Sequence, residues 1–201
     1  ASLYRPMLKT IAIVTLVVRS LAAVEVAYEQ HLHYQPVERG RIPRELASEW
    51  ATPAMAGRQY VLLAPASGAQ VYLRFIEAPA GTKPVRPFMT TGWNAAEILV
   101  QDPDALARQL EHSPFKVIGP PADLLPGANA PRAMQVVGPA GEVLYLTRII
   151  PAGTAFELGS ARTPVDRVFI VVVGGASMDE LRSFYGTQLG LPLGDTSAWR
   201  I

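Results

Sequence analysis

Gly68-Ala-Gln-Val-Tyr-Leu-Arg-Phe-Ile76 and Gly141-Glu-Val-Leu-Tyr-Leu-Thr-Arg-Ile149 decide how this chain is read. Both stretches are Gly-x-x-apolar-Tyr-Leu-x-x-Ile, and both follow a Pro-Ala pair, Pro65-Ala66 and Pro139-Ala140. Self-similarity of this length marks a duplicated structural unit. The period is too long for a solenoid, so the repeat points to tandem modules that pack on one another. Within each copy, apolar and polar residues alternate as they do in a half-buried strand, and the leading glycine supplies the turn into it.

Outward from this strand the pattern extends in both directions. Residues 10–18 form a short apolar run, read as a buried strand. Ser20 is placed to cap a helix over about 21–32, with Leu21, Val24, Tyr28 and Leu32 on its apolar side. A strand is expected over Val37–Ile42, a helical insert carrying Trp50 over Arg44–Ala51, and strands over Gln59–Leu63 and Gln70–Ile76. The order is β-α-β-β-β. After a Gly/Pro linker it restarts: Trp93–Val100, a helix opened by Asp102-Pro103, Lys116–Ile118, a loop over Gly119–Arg132, then Ala133–Val137 and Glu142–Ile149. A third start follows at Val168–Val173, with Ser177 capping a helix over Met178–Gln188. The domains read as modules over 8–80 and 88–151, with an incomplete third over 165–201.

Composition bounds the function. The 201 residues are 49% apolar and 17% charged, with a formal net charge of +1. That is a globular composition with no basic cluster, so neither nucleic acid nor an anionic membrane surface is an expected partner. There is no cysteine, which excludes disulfides, thiolate catalysis and Cys-ligated metals. The apolar run ending at Val18 is short and meets Arg19, so it reads as a strand rather than a signal peptide. Residues before Met7 read as an extension. A cytoplasmic location is expected. The partial third module implies a homo-oligomer, or a longer natural chain that completes it.

Three β-α-β-β-β starts, with Leu16-Val-Val-Arg-Ser-Leu21, Asp102-Pro-Asp-Ala-Leu106, Met178-Asp-Glu-Leu-Arg-Ser-Phe-Tyr185 and Gly141-Glu-Val-Leu-Tyr-Leu146, resemble the vicinal-oxygen-chelate superfamily. This is the glyoxalase, bleomycin-resistance and extradiol-dioxygenase fold. The resemblance implies an α+β fold in which tandem modules curve their sheets into a half-open cavity. It also implies, in metal-dependent members, His, Gln or Glu on the first and fourth strands of each module. Carried over by motif, those positions fall at about Ile13 and Ala95, and at Tyr72 and Tyr145. Ile and Ala cannot ligate, and Tyr is an uncommon ligand for such metals. The expectation is therefore a member with no metal and no cofactor.

Strand parity gives the candidate site. If Tyr72 faces the cavity, so do Thr15 and Arg74; if Tyr145 does, so do Glu97 and Thr147. Trp93 would stand at the mouth. Arg74 could clamp an anion, the tyrosines and Trp93 could wall a planar ligand, and Glu97 could serve as a general base. Alternatively Arg74 and Glu97 simply pair. Trp50 could be a lid or ordinary packing. His31, His33 and His112 lie at helix C-termini, where a cation is favoured for structural reasons. The leading reading is a metal-free protein that binds a small anionic or aromatic molecule. The alternative is a lyase, isomerase or dioxygenase of the same superfamily, lactoylglutathione-lyase-like.

Overall fold

The computed structural model describes residues 10–83, 88–151 and 159–194. The expected extension before Met7 lies outside the described residues, as does the end of the third module. β1 (Ile13–Val18) is the run Ile-Val-Thr-Leu-Val-Val, rich in the β-branched residues that suit a pleated surface. Ser20 then caps α1 (Leu21–Leu32), its hydroxyl accepting from the Ala23 amide at 3.2 Å. β2 (Gln35–Arg41), α2 (Arg44–Glu49) and a 3-10 turn at Pro53–Met55 follow. β3 (Gln59–Ala64) and β4 (Tyr72–Glu77) close the unit. The sheet order is β1-β4-β3-β2, with β1 parallel to β4 and the other pairs antiparallel.

The second unit repeats this topology. It comprises β5 (Gly92–Val100), α3 (Pro103–Leu110), β6 (Lys116–Asp123), β7 (Arg132–Val137) and β8 (Val143–Arg148). Asp102 caps α3 by accepting from the Ala105 amide at 3.0 Å, and Pro103 takes the first turn, where its missing N–H costs nothing. The glycines that lead the two repeated strands, Gly68 (φ 73°) and Gly141 (φ 86°), both sit in the left-handed region. There a side chain would be strained.

β9 (Val165–Gly174) joins the second sheet antiparallel along the open side of β5, giving the order β6-β7-β8-β5-β9. α4 (Met178–Arg182) follows, capped by Ser177, and continues into π-helical turns at Ser183–Gln188 rather than one uninterrupted α-helix. The other departure is β6, which runs on through Gly119-Pro-Pro-Ala122, where a loop was expected. β6 pairs only with β7 and shifts register twice across this stretch. A prolyl nitrogen is tolerated there because an edge strand has N–H positions that need no ladder partner. The α+β class and the tandem β-α-β-β-β architecture expected from the repeat are both present.

One core joins the units. Leu73 and Phe75 of β4, Tyr28 and Leu32 of α1, Leu106 and Leu110 of α3, and Ile98, Leu144 and Leu146 of the second sheet belong to a single buried cluster. Tyr28 is fully buried; its ring lies 4.8 Å from Phe75 and 5.3 Å from Phe115 across the junction. Its hydroxyl donates to Glu142 at 2.8 Å. The Tyr34 hydroxyl donates to the Asp166 carbonyl at 2.7 Å, and the Ser67 hydroxyl to the buried Asp166 carboxylate. Buried polar groups of this kind are costly unless paired, and here the pairing fixes β9 to the first unit. The two sheets thus meet through their helix-bearing faces. Each keeps an outer face, opposite its helix, free of the shared core. Among the described residues no helix is long and apolar enough to cross a membrane.

Candidate functional site

Strand alternation divides the expected site residues between the two outer faces. On the first sheet, Ile13 lies opposite Tyr72, Thr15 opposite Arg74 and Val17 opposite Ile76. On the second, Ala95 lies opposite Val143, Glu97 opposite Tyr145 and Leu99 opposite Thr147. Arg74 and Glu97 therefore occupy different sheets, and no contact pairs them. The single pocket expected from the sequence is two separate faces, because α1 and α3 both bury toward the common core.

The register also corrects the equivalence between modules. Tyr72 and Tyr145 hold the same place in the repeat, and their first-strand partners are Ile13 and Glu97. The counterpart of Ile13 is thus Glu97, two residues on from Ala95. The face was inferred from parity and is unaffected by this shift. The first-strand position of the second module therefore carries a carboxylate.

Glu97 is partly buried, and desolvation pushes its pKa up. The hydroxyl of Thr147, itself fully buried, donates to Glu97 Oε1 at 2.6 Å and partly opposes that shift. No other hydrogen bond to Glu97 is present among the described residues. Tyr145 lies beside it; burial raises the phenol's pKa, a hydrogen bond with Gln135 lowers it, and the nearby Glu97 raises it. Gln135 is opposite Tyr145 on β7. Sequence reasoning missed it, although it is the one uncharged polar residue in Arg132-Ala-Met-Gln-Val-Val137. Ile170 of β9 is opposite Glu97 on the other side. Trp93 is 65% exposed at the end of β5, its ring 6.2 Å from that of Tyr185. The result is a carboxyl, a phenol and an amide in an otherwise apolar floor, with an aromatic pair at one end.

The first sheet presents a different face. Arg74 donates to Thr15 Oγ1 through Nε at 3.1 Å and Nη2 at 2.9 Å. Its guanidinium carbon lies 4.6 Å from the centre of the Trp50 ring, a stacked cation–π geometry. Desolvation lowers its pKa. Tyr60 donates to Glu38 on the same face, and Tyr72 to Gln70 at 2.5 Å. The insert that carries Trp50 packs Ile42 and Ala47 against Ile76, so it covers one end of this face. Among the described residues, a 460 Å³ groove lies beside Glu25, Arg39 and Arg41, and a 270 Å³ hollow beside Gln101, Arg148 and Ser160.

No protein-family model matches the sequence, and no curated protein matches it. Solved structures do. Glyoxalase I from Zea mays matches with TM-score 0.63 at 14% identity, over 92% of this chain and 56% of that one. A glyoxalase family protein from Bacillus cereus matches with TM-score 0.54 at 16% identity, over 73% of this chain and 97% of that one. One from Enterococcus faecalis matches with TM-score 0.51 at 14% identity, over 69% of this chain and 97% of that one. This is the vicinal-oxygen-chelate fold. At these identities the likeness extends to the fold alone. The chain spans 56% of the length of the Zea mays protein.

Metal-dependent members of the fold imply ligands at the first- and fourth-strand positions. Here those are Ile13 with Tyr72, and Glu97 with Tyr145. One carboxyl and two phenols are a poor donor set for a divalent ion. No group of three or more His, Asp or Glu side chains fit to hold a metal occurs among the described residues. His31 instead packs edge-on to Phe115 at 6.3 Å, and His33 closes α1 in the left-handed region. The residues present do not fit the metal that the fold implies.

Proposed function

We propose that this chain binds a small molecule on the outer face of its second sheet, without a protein-held metal. The observation that carries this reading is Glu97, a partly buried carboxyl in an apolar strand face, hydrogen-bonded by one hydroxyl and raised in pKa by desolvation. A polar group set in such surroundings costs stability unless something compensates for it, and a ligand hydrogen bond does so. A few convergent polar groups in an apolar setting are the usual make-up of a small-molecule site. Tyr145, Gln135 and Trp93 favour a flat or aromatic ligand with hydrogen-bonding groups. The test is native mass spectrometry of the purified protein followed by a thermal-shift screen. Ligands found this way should lose affinity in Glu97→Gln and Tyr145→Phe. Affinity unchanged in both variants would refute the site.

A second reading is catalytic, favoured by the raised pKa of Glu97 beside a phenol. A carboxyl of raised pKa is suited to take a proton from carbon next to a carbonyl. Tyr145 would then donate to the developing oxyanion. Turnover of a carbonyl-substrate panel in excess chelator, abolished by Glu97→Gln, separates this lyase or isomerase reading from simple binding.

A further inference from the structure

Arg74 is held as an arginine is held when it waits for an anion. The guanidinium side formed by Nε and Nη2 is spent on one hydroxyl, Thr15 Oγ1. The opposite fork, one N–H from each terminal nitrogen, has no partner among the described residues. No carboxylate stands at ion-pair distance from Arg74 among them. Glu38 acts on it only through space, and that carboxylate already accepts the Tyr60 hydroxyl. Thr15 sets the guanidinium plane and Trp50 stacks on it, so little rotamer freedom remains to be lost on binding. The Thr15 hydroxyl accepts from Arg74 and keeps its own proton free to donate. On the same side of β1, Ile13 and Val17 are 41% and 43% exposed, an apolar strip beside the cation.

We propose that Arg74, oriented by Thr15 and Trp50, forms a second ligand site on the outer face of the first sheet, and that this site takes a small monocarboxylate with an apolar body. The end-on fork matches the two oxygens of a carboxylate in one plane, and the Ile13–Val17 strip receives the rest of the molecule. The site is separate from the Glu97 face and does not depend on it.

The test follows the Trp50 indole N–H by NMR, assigned through Trp50→Phe, while the whole chain is titrated with benzoate at constant ionic strength. Inorganic phosphate and chloride are the other arms. The expected result is a saturable benzoate shift in the wild type and in Glu97→Gln. Affinity should fall roughly tenfold or more in Arg74→Met. It should fall less in Arg74→Lys, which keeps the charge without the fork, and several-fold in Thr15→Val, which keeps the charge and frees its orientation. Arg74→Lys and Thr15→Val keep the test decisive if Arg74→Met does not fold. Benzoate affinity unchanged in the arginine variants, or a benzoate shift no larger than that of chloride, overturns the site. Phosphate binding tighter than benzoate overturns the carboxylate assignment. Loss of benzoate binding in Glu97→Gln overturns the independence of the two faces.

Discussion

The two outer faces grow from the same repeated strand and carry opposite chemistry. At one position in the repeat the first sheet has Arg74 and the second has Thr147; across the parallel pair, Ile13 is matched by Glu97. The inner faces diverge less: Leu73 is matched by Leu146 and Val71 by Leu144, all within or packed against one cluster, and only at the strand's end is Phe75 matched by Arg148. Strand alternation separates two demands on one short sequence. The inward residues must fill the shared core, and close packing leaves them little latitude. The outward positions Thr15, Arg74 and Glu97 lie outside that cluster, so one copy came to hold a cation and the other a carboxyl.

The largest expected effect tests whether both faces rest on common ground. Phe75→Ala should cost about 3–5 kcal/mol. Because the core is continuous, thermal unfolding should lower the signals of both sheets in a single transition. Two separated transitions, one per sheet, would break the comparison by showing that the units stand alone. Next in size is Thr147→Val, which removes the hydroxyl that serves Glu97 and should cost about 1–3 kcal/mol. It should also move the Glu97 titration upward, since that hydroxyl opposes the desolvation shift; carbon-detected NMR of the side chain reads this directly.

The helix caps sharpen the comparison between modules. Ser20 and Asp102 do the same task in the two copies. Ser20→Ala and Asp102→Ala should each cost about 1 kcal/mol by chemical denaturation. The smallest effect is a pH slope. The folded-state pKa of Glu97 is raised, so the folded protein holds this proton more tightly than the unfolded chain does. Its contribution to stability is greatest below the unfolded carboxyl pKa and is lost as pH rises through the folded value. Glu97→Gln removes this dependence. The melting temperature of the variant relative to wild type should therefore climb from pH 4 toward neutrality, and a flat difference would show that Glu97 is not desolvated.

Much of the fold was legible because local signals agreed. Ser20, Asp102 and Ser177 each stand where a cap side chain accepts an amide, and the glycines leading the repeated strands adopt the turn conformation that favours glycine. Parity placed Thr15, Arg74, Glu97 and Thr147 on outer faces. The position along the strand was harder. Glu97, not Ala95, answers to Ile13 across the parallel pair, a register set by inter-strand hydrogen bonding that spacing along the chain does not reveal. The joining of the modules was not legible at all. It depends on Tyr28 reaching Phe115 and Glu142, contacts distant in sequence that no local pattern announces. Trp50 over Arg74 is of the same kind.

The parallel pairing of β1 with β4 has a consequence for how this chain is made. β1 hydrogen-bonds to β4, so of the first sheet only the β2–β3 pair can form before residue 77 has emerged. Even then its helix-bearing face waits, because Phe115, Leu144 and Val168, which share its core, are synthesised later. Pairings this distant in sequence are slow to form, and a half-made sheet with an uncovered apolar side is prone to aggregate. That side of the first sheet stays open to such contacts until the second sheet has been made.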